Sequence, residues 1–458
     1  MVVVLATCAV AVIVMQTVVL PLIPDLPRIL NTSVGNASWV VTITLLVAAV
    51  TTPIGGRLGD MFGKKRVLLI SLTGLVLGSV LCATARSLGP MIVGRALHGV
   101  ATPAIPLGIG ILRDELPPAR LGPAIATVST WKGAGGAIGL VISALLILVT
   151  DWHVMFWMAA VLGVVCLVSA AVFIPESSVR TGGRFDVPGA LGLSVGLVAL
   201  LLAISKGADW GWGSVTTLTL FAAAVVVLVG WGMIEVRTVD PSVNLRATAR
   251  PQVLYTNLAS LLIGFAFFAQ NLVFIQQLMA SRATGYGLGL SMFEAALALA
   301  PGGVAMILVA GPAARLMALK GAKATLITGA AVVALGYLVA LFFGEAVWEI
   351  MVAAVIIGAG IGAAYAAAPA LIVGAVPQSE TSEANGVNSL VRSIGGSISA
   401  AVLGAVLAHM TVQVGETILP SRSGFRVAFL FAIAAAIAAV ACAALIPSNS
   451  RDSRYAGC

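Results

Sequence analysis

Few residues of this chain could do chemistry, and the most informative are charged or titratable side chains inside long apolar runs. Arg95 and His98 lie three residues apart in one such run, hence on the same face of a helix. Burying a charge in a bilayer costs at least about 2.5–3.5 kcal/mol, so both residues are functional candidates. The His98 imidazole, beside a fixed cation, could carry a coupled proton or could simply form hydrogen bonds. We expect a structural or coupling role for Arg95.

Lys132 follows Trp131 in the next apolar run, deep inside the predicted helix. About ten residues separate Lys132 from the inner end, which is about 15 Å of helix and too far for its side chain to reach water. We therefore expect Lys132 to face a cavity, where it could attract an anionic group of a substrate or pair with a carboxylate. Trp131 has a flat amphipathic face that suits a drug pocket, although helix packing would use it equally well.

Carboxylates are scarce in the apolar runs, although a protonatable carboxylate is the usual carrier in proton-driven transport. Apart from Asp60, two acids are the best carriers by elimination. Asp25 lies at the outer end of the first run, between Pro24 and Pro27, and Glu294 lies near the outer end of the tenth. Either carboxylate could instead be a plain interfacial charge.

The ninth apolar run carries the clearest polar and aromatic face. Its side chains recur at intervals of three and four residues, with one adjacent amide: Phe267, Gln270, Phe274, Gln277 and Asn271. Amides must be hydrogen-bonded inside hydrocarbon, so this face is expected to look into a helix bundle. It could line a pocket for an amphipathic organic substrate, or it could only join helices. Gln16 and Thr17, midway along the first run, are further pocket candidates.

These residues belong to a chain that only a membrane can accommodate. Of its 458 residues, 60% are hydrophobic and 9% are charged, and the mean hydropathy is +1.09. A typical soluble domain has about 25% charged residues, so a soluble enzyme, a nucleic-acid binder and a disordered protein are excluded. A membrane span needs about 20 apolar residues. The runs predict an all-α polytopic protein with fourteen spans, at residues 2–24, 38–59, 66–85, 90–112, 122–149, 153–174, 187–206, 215–235, 253–280, 291–314, 324–343, 348–375, 385–408 and 425–446.

Positive charges place both ends of the chain in the cytoplasm. Sixteen of the 25 Lys and Arg residues fall in predicted inner loops and the C-terminal tail, where Arg451 and Arg454 lie, and six fall in outer loops. By the positive-inside rule this favours a multi-pass protein of the cytoplasmic membrane. The net charge of +8 then reflects topology rather than nucleic-acid binding. The first run has no basic leader region, so we interpret it as a retained span rather than a signal peptide.

Polar breaks divide the spans into groups of six, two and six. Segments 175–186 and 237–252 are polar, and spans seven and eight between them carry few polar residues. We expect an N-terminal six-helix half over 1–174, two peripheral extra helices with their cytoplasmic linkers over 175–252, and a C-terminal six-helix half over 253–458. The loop from Gly56 has a degenerate copy from Gly311. Repeated halves with a site between them are a common transporter plan.

The loop after span two has the sequence GRLGDMFGKKR, beginning at Gly56. It resembles the pattern G-x-L-a-D-r-x-G-r-k that the major facilitator superfamily carries between its spans two and three. The matching positions are Gly56, Leu58, Asp60, Gly63, Lys64 and Lys65. The resemblance covers nearly the whole chain, and fourteen spans make it similar to the superfamily's fourteen-span drug:proton antiporter branch. This implies a fold of two six-helix halves and proton-coupled efflux of antibiotics or other amphipathic compounds.

Two further motifs resemble that branch, each with departures. Residues Arg95–Gly99 are similar to R-x-x-Q-G, with His98 in place of Gln. Gly135 and Gly139 match the antiporter motif G-x-x-x-G-P-x-x-G-G, in which Leu140 here replaces the Pro and Ser-Ala the final glycines. The acidic residue that the branch carries in its first span has no counterpart here.

Physical chemistry gives Asp60 a role independent of the resemblance. This carboxylate lies at the inner end of span two, where it can face a helix N-terminus, whose free N–H groups favour an anion. We expect its partner at the start of span thirteen, Glu383–Gly386, so that the contact latches the two halves when the protein is open to the outside. Lys64, Lys65 and Arg66 are expected to hold the loop in the cytoplasm. Alternatively, all these charges only set topology.

Two glycines and one arginine complete the predicted gate. Gly56 and Gly63 permit a tight turn and a close backbone approach. In span thirteen, Arg392 shares a face with Asn385 and Asn388 near the cytoplasm. We interpret this face as gate and interdomain contacts rather than as a substrate site.

Three classes of function remain open. The first is an exporter of antibiotics or other amphipathic organics driven by proton entry. The second is a transporter of the same fold for a lipid, a siderophore or a biosynthetic product, including an anionic one. The third is a membrane-embedded enzyme, but three His and five scattered Cys residues supply no metal cluster or nucleophile–base set.

The sequence therefore predicts no enzyme activity. We expect no cofactor and no metal. No Walker A motif is present, so we expect the proton gradient rather than ATP to supply the energy. The expected partners are a small-molecule substrate, protons and the lipid bilayer, without nucleic acid, and a monomer suffices to form the site.

Overall fold

The structure is a computed structural model that describes residues 1–23, 25–177, 179–414 and 417–447, most of them in α-helices. Pro24, the predicted tail cations Arg451 and Arg454, and Cys458 lie outside the described residues. The long helices of the first part of the chain are α1 Val2–Thr17, α2 Trp39–Phe62, α3 Lys64–Thr84, α4 Leu88–Val100, α5 Ala104–Glu115, α6 Pro118–Val149 and α7 Trp152–Phe173.

The remaining long helices are α8 Val187–Trp210, α9 Val215–Glu235, α10 Pro251–Ala269, α11 Ile275–Met279, α12 Met292–Leu308, α13 Ala310–Phe342, α14 Val347–Ala375, α15 Thr381–His409 and α16 Arg422–Ala444. A π-helical turn, Gln270–Phe274, joins α10 to α11. Short helical turns occur at Leu20–Leu22, Leu26–Ile29, Val34–Ala37, Leu245–Thr248, Arg282–Thr284 and Gln378–Glu380.

One small hairpin departs from the all-α prediction. Strands β1 Thr411–Val414 and β2 Thr417–Pro420 pair antiparallel between α15 and α16, with Thr411 opposite Pro420. The sequence-based prediction placed only a loop here, because four-residue strands are shorter than the windows that reveal alternation.

Twelve stretches of helix in the described chain are long and apolar enough to cross a membrane. One of these stretches, residues 292–342, contains both α12 and α13, and α13 is itself interrupted by Gly321 at φ +81°. The predicted first span is shorter than expected, because its α-helix ends at Thr17 after 16 residues. The prediction of fourteen spans therefore stays a prediction, whereas the polytopic helical architecture is confirmed.

Two separate apolar cores organise the molecule. The largest cluster of buried side chains runs from Ala259 to Ile446, and a second runs from Leu5 to Ile174. Each core lies within one predicted half. The turn after Gly311 also repeats the geometry of the earlier loop, since Gly63 at φ +117° and Gly321 at φ +81° each interrupt a helix. These features support the predicted division into halves, which stays a prediction.

Helix α8 lies between the two halves. Its residues Leu193, Leu197 and Leu201 repeat every four positions and pack in one cluster with Leu46 of α2 and Leu390 of α15. At the other end of α8, Lys206 is buried against the segment before α2. We predicted both extra helices to be peripheral, and this stays a prediction. The leucine face of α8 contacts both halves, whereas α9 is mostly exposed.

Candidate functional site

The turn between α2 and α3 brings the two halves into contact. Gly63 follows α2 with φ +117°, a conformation that residues with side chains rarely adopt. Gly56 lies so close to α15 that an added Cβ atom would be 2.5 Å from the Ser382 carbonyl oxygen. One glycine thus makes the turn and the other permits the helix contact. We call this end of the bundle the motif end.

Asp60 caps the N-terminus of α15. Its Oδ2 accepts a hydrogen bond of 2.8 Å from the backbone N–H of Glu383, and the Asp60 side chain is buried. Because α15 begins at Thr381, this N–H belongs to the first turn, whose N–H groups have no partner within the helix. The predicted contact between Asp60 and the start of this helix is present in the structure.

Lys64 is a buried member of the same cluster. Its Nζ lies 3.2 Å from Oδ1 of Asp60 and 2.8 Å from Oδ2 of Asp114. We predicted that Lys64 would hold the loop in the cytoplasm, and that role stays a prediction. The structure adds that its ammonium is removed from water and depends on these two carboxylates. The Arg113-Asp114 pair at the end of α5 was the sequence signal that we overlooked.

The other two basic residues of the loop lie outside this cluster. Lys65 donates a hydrogen bond of 2.8 Å to the carbonyl oxygen of Ala171. Arg66 is exposed and lies 3.8 Å from a carboxylate oxygen of Glu176. The predicted role of Lys65 and Arg66 in holding the loop in the cytoplasm stays a prediction.

Two arginines extend the contact between the halves. Nη1 of Arg57 lies 3.3 Å from Oε2 of Glu383, with both side chains buried. Arg113 donates to the Val376 carbonyl oxygen at 3.0 Å and to Oγ1 of Thr381 at 2.6 Å. We call the six charged residues that hold this end together the seal: Arg57, Asp60, Lys64, Arg113, Asp114 and Glu383.

Both polar linkers that flank α8 and α9 reach the seal. The Thr181 N–H of the first linker donates to the Asp60 carbonyl oxygen at 2.8 Å. The Asn244 N–H of the second donates to Oε1 of Glu383 at 2.6 Å. Glu383 therefore accepts from the second linker through one oxygen and contacts Arg57 through the other. The sequence showed that these segments were polar but not where they would fold.

The two amides of α15, Asn385 and Asn388, do not form the predicted hydrogen bonds between the halves. Nδ2 of Asn388 donates to Oδ1 of Asn257 and to Oγ of Ser260, each at 2.8 Å. Nδ2 of Asn385 donates to the Thr381 carbonyl oxygen of its own helix. The Asn388 bonds join α15 to α10 within the C-terminal half, and the Asn385 bond stays within α15. The face was assigned correctly, but a sequence does not specify which neighbouring helix covers it.

Arg392 also lies away from the seal, near the middle of α15. It follows Thr381 by eleven positions, which is about 16 Å of helix. Its guanidinium lies over the ring of Tyr365 on α14, 4.4 Å from the ring centroid, and donates to Oγ of Ser389 at 3.2 Å. We predicted a gating residue, but Arg392 belongs to the centre of the molecule.

Lys132 reaches the same central region from the other half. The neighbouring Gly133 lies against Met306 of α12, and an added Cβ atom there would also be 3.8 Å from Cδ2 of Tyr365 on α14. Lys132 is half-buried and lies within electrostatic range of Arg392. Within the described chain it has no hydrogen bond and no carboxylate partner. The predicted cavity role of Lys132 stays a prediction, and the described residues offer it no carboxylate partner.

A small cavity lies beside these two cations, between α6, α10, α12 and α14. Phe267, Gln270 and Asn271 line it, as the polar and aromatic face predicted. The Phe267 ring meets the Tyr365 ring edge to face at 5.8 Å between centroids. The other lining residues are Gly133, Leu140, Ala296, Leu299, Gly302, Gly303, Met306 and Gly358.

Phe274 and Gln277 do not share this cavity. Phe274 is fully buried against Tyr337 and Phe429 in the C-terminal core. Gln277 donates to the Gly344 carbonyl oxygen at 2.9 Å, near the other end of the bundle. The prediction assumed an unbroken α-helix, but the π-helical turn Gln270–Phe274 changes the hydrogen-bond spacing and rotates the following residues onto another face.

Helix α1 packs along α6 through the two matched glycines. Gly135 faces the backbone of Val10, and Gly139 faces Val14 and Thr17, so an added Cβ atom would collide at either position. The Thr17 hydroxyl donates to backbone carbonyls of its own helix. Gly135 and Gly139 thus permit close helix packing.

The remaining pocket candidates on these two helices contribute little to the cavity. Gln16 is half-buried and its carbonyl oxygen accepts from Arg95. Trp131 is half-buried and packs against the N-terminal apolar core. None of Gln16, Thr17 and Trp131 lines the central cavity.

Arg95 and His98 form a buried polar pair in the N-terminal half. Arg95 donates to the carbonyl oxygens of Met15 at 2.5 Å and Val40 at 3.0 Å. Nε2 of His98 lies 3.0 Å from Oγ of Ser79, and Nδ1 lies 3.4 Å from Nη1 of Arg95. The predicted neighbourhood is therefore present. Arg95 ties three helices together through backbone oxygens, which fits a structural role.

The two predicted outer carboxylates lie at the surface. Glu294 completes a capping box at the start of α12, where its Oε2 accepts from the N–H of Ser291 at 2.8 Å. Asp25 is exposed and pairs with Arg28 at 3.3 Å. The structure does not bring either residue to the central cavity, and both have the interfacial positions that the alternative interpretation described.

Comparison with known proteins decides the family. The model of the Major Facilitator Superfamily matches residues 5–400 and 256–456. The chain belongs to this superfamily. It is therefore a multi-pass membrane transporter, and the resemblance drawn from the Gly56 loop is confirmed. The two matched ranges together cover both apolar cores.

Curated relatives and a solved structure agree with this family. The chain is 28% identical over 449 residues to the tetracenomycin C resistance and export protein of Streptomyces glaucescens, which covers 95% of the chain and 80% of the relative. It is 27% identical over 392 residues to a probable actinorhodin transporter of Streptomyces coelicolor, covering 82% and 67%. The crystal structure of a human organic anion transporter has the same fold, with a TM-score of 0.67, 15% identity and coverage of 96% and 98%.

Proposed function

We propose that this transporter exports an antibiotic or another amphipathic organic compound across the cytoplasmic membrane in exchange for protons. The observation that carries the proposal is the arrangement of seal and cavity. The seal joins the halves at the motif end through Asp60 and Glu383, and the cavity lies between helices of both halves. Alternating access needs a central site that opens to one side at a time.

Two observations support export as the direction of transport. The relatives from Streptomyces are named for antibiotic resistance, export or transport of such compounds. The positive-inside rule places the motif end, with Lys65 and Arg66, in the cytoplasm together with both termini. On this orientation the sealed end faces the cytoplasm. We propose that the central site then communicates with the outside, and that fourteen spans complete the topology.

Proton coupling requires a side chain that can bind and release a proton. The central cavity has no carboxylate among its described lining residues. His98 is a titratable group buried in the middle of the N-terminal half, next to Arg95 and Ser79. A proton gradient would supply the energy without a cofactor, and a monomer would suffice. A lipid, siderophore or biosynthetic product remains the alternative cargo for the same fold.

Reconstitution in liposomes with an interior pH dye tests this function. A pH step is imposed, and cationic, neutral and anionic antibiotics are added in turn. Substrate-dependent proton movement that disappears in protein-free liposomes supports coupled export. Uphill transport of a compound without proton movement would contradict proton coupling. Binding without any transport would contradict the exporter function.

A further inference from the structure

Two cations in the middle of the bundle have no carboxylate partner among the residues that the structure describes. Lys132 on α6 follows Pro118 by fourteen positions and Arg392 on α15 follows Thr381 by eleven, so they lie about 21 Å and 16 Å from the motif-end starts of their helices. They belong to different halves: the Arg392 guanidinium lies over the Tyr365 ring, and Gly133, next to Lys132, lies where an added Cβ atom would be 3.8 Å from Cδ2 of the same tyrosine. Two positive charges thus meet at similar depth.

Other buried cations of the described chain are compensated. Arg57 pairs with Glu383, and Lys64 pairs with Asp60 and Asp114. Arg95 donates to backbone carbonyl oxygens instead. A buried charge without such partners is unfavourable, which makes the uncompensated pair Lys132 and Arg392 an exception that needs a physical reason.

An anionic ligand supplies that reason. The Arg392 guanidinium stacks on Tyr365 and forms one hydrogen bond, to Ser389, so other N–H donors of its fork are free for a ligand. The Tyr365 ring contacts the Phe267 ring edge to face. Phe267 lines the cavity together with the amide side chains of Gln270 and Asn271. A planar aromatic body can lie against Phe267 while an anionic group reaches the two cations.

We propose that Lys132 and Arg392 together bind an anionic group, a carboxylate or an ionised phenol, of an aromatic substrate held in the central cavity. This proposal rests on the proposed transport function and specifies its substrate class. The two halves of the transporter each supply one cation. Binding of the anion therefore also offsets the repulsion between Lys132 and Arg392 when the halves close around it.

Binding of three isosteric probes to the full chain in nanodiscs of zwitterionic lipid tests the site. The probes are naphthoate, naphthamide and naphthylmethylammonium, measured by calorimetry. We expect naphthoate to bind about tenfold more tightly than naphthamide, and the ammonium most weakly. Equal affinities for naphthoate and naphthamide would overturn the proposal.

Charge-neutral variants assign the preference to residues. Lys132→Met and Arg392→Gln should each lower naphthoate affinity about tenfold while changing naphthamide affinity less than about twofold. Lys320→Met, which removes an exposed cation of α13, is the control for net charge. Lys132→Arg keeps the charge and should keep the preference, which separates loss of the anion site from loss of folding. An unchanged preference in both neutral variants would overturn the proposal.

A further binding experiment distinguishes a lipid headgroup from a soluble aromatic acid as the source of the anionic group. If a lipid headgroup is the natural ligand, adding phosphatidylglycerol to the nanodiscs should weaken naphthoate binding through competition at Lys132 and Arg392. If the ligand is a soluble aromatic acid, the affinity should not change. Transport is measured on the same variants. If export is unchanged in both neutral variants, the proposed anion site is wrong but the exporter function stands. If binding depends on the two charges but no export occurs, the anion site stands and the exporter function is wrong.

Discussion

Asp60 and Glu383 lie 323 positions apart in the chain and are joined by one hydrogen bond of 2.8 Å, from the backbone N–H of Glu383 to the Asp60 carboxylate. The same two residues form several of the other contacts in the seal. Asp60 also meets Lys64, and Glu383 also meets Arg57 and Asn244. A change of access at this end must therefore break a network that is almost entirely buried.

Asp60→Asn should loosen the seal. Replacing the carboxylate by an amide removes the charge opposite Lys64 and weakens the cap on α15, at a cost of about 2 kcal/mol, or about thirtyfold in the open population. A cysteine placed by Ser382→Cys in a background without the native cysteines reports this. We expect a membrane-impermeant maleimide to label it about thirtyfold faster in Asp60→Asn.

The control for this experiment is Arg66→Gln. Arg66 belongs to the same loop, but its pair with Glu176 is exposed and lies outside the seal. Exposed ion pairs contribute about 0–1 kcal/mol, so labelling should be nearly unchanged. Equal acceleration by both variants would mean that the loop charge, and not the buried contact, controls access.

Lys64 and Lys65 should differ sharply in their effect on stability. Lys64→Met leaves Asp60 and Asp114 buried without their cation, and breaking a buried pair in this way costs about 3–5 kcal/mol. Lys65→Met removes one hydrogen bond to a backbone oxygen and should cost about 1 kcal/mol. Unfolding titrations in mixed micelles measure both. Similar losses for the two variants would refute the assignment.

The sequence predicted what depends on local pattern. The apolar runs predicted the helices. The spacing of glycines and carboxylate around Gly56 indicated the family and predicted the contact of Asp60 with the start of α15. A helix N-terminus needs an anion or another acceptor, and few acids were available, so this pairing could be inferred.

Contacts that depend on the partner helix could not be predicted. The positions of Asn388 and Arg392 on one face of α15 were evident, but the face touches α10 and α14 rather than the other half. The π-helical turn Gln270–Phe274 likewise has no signature in the residue spacing. One inserted turn was enough to separate Phe274 from Phe267.

Phe267→Ala and Phe274→Ala should separate binding from stability. Phe274 is fully buried among aromatic rings, and removing such a side chain costs about 3–5 kcal/mol. Phe267 lines the cavity, so its loss should weaken naphthoate and naphthamide binding alike and lower stability less. Calorimetry and unfolding are measured on both variants. Intact binding in a stable Phe267→Ala protein would place the substrate elsewhere.

His98, and neither outer carboxylate, should affect proton movement. Glu294→Gln keeps a capping box, because glutamine also serves at that position, and Asp25→Asn changes an exposed residue. Both variants should retain substrate-dependent proton movement in dye-loaded liposomes. His98→Gln preserves hydrogen bonding to Ser79 but has no imidazole to carry a proton, so it should abolish proton movement while probe binding persists.

The opposite outcome is equally informative about this membrane interior. Loss of proton movement in Glu294→Gln alone would assign the carrier to the start of α12 and return His98 to the role of a hydrogen-bonding side chain. Since Glu294 is exposed in the present arrangement, such a carrier would have to become enclosed when the halves rock. Cysteine labelling at Phe293→Cys during turnover, compared with the resting protein, would then show protection, and its absence would exclude that movement.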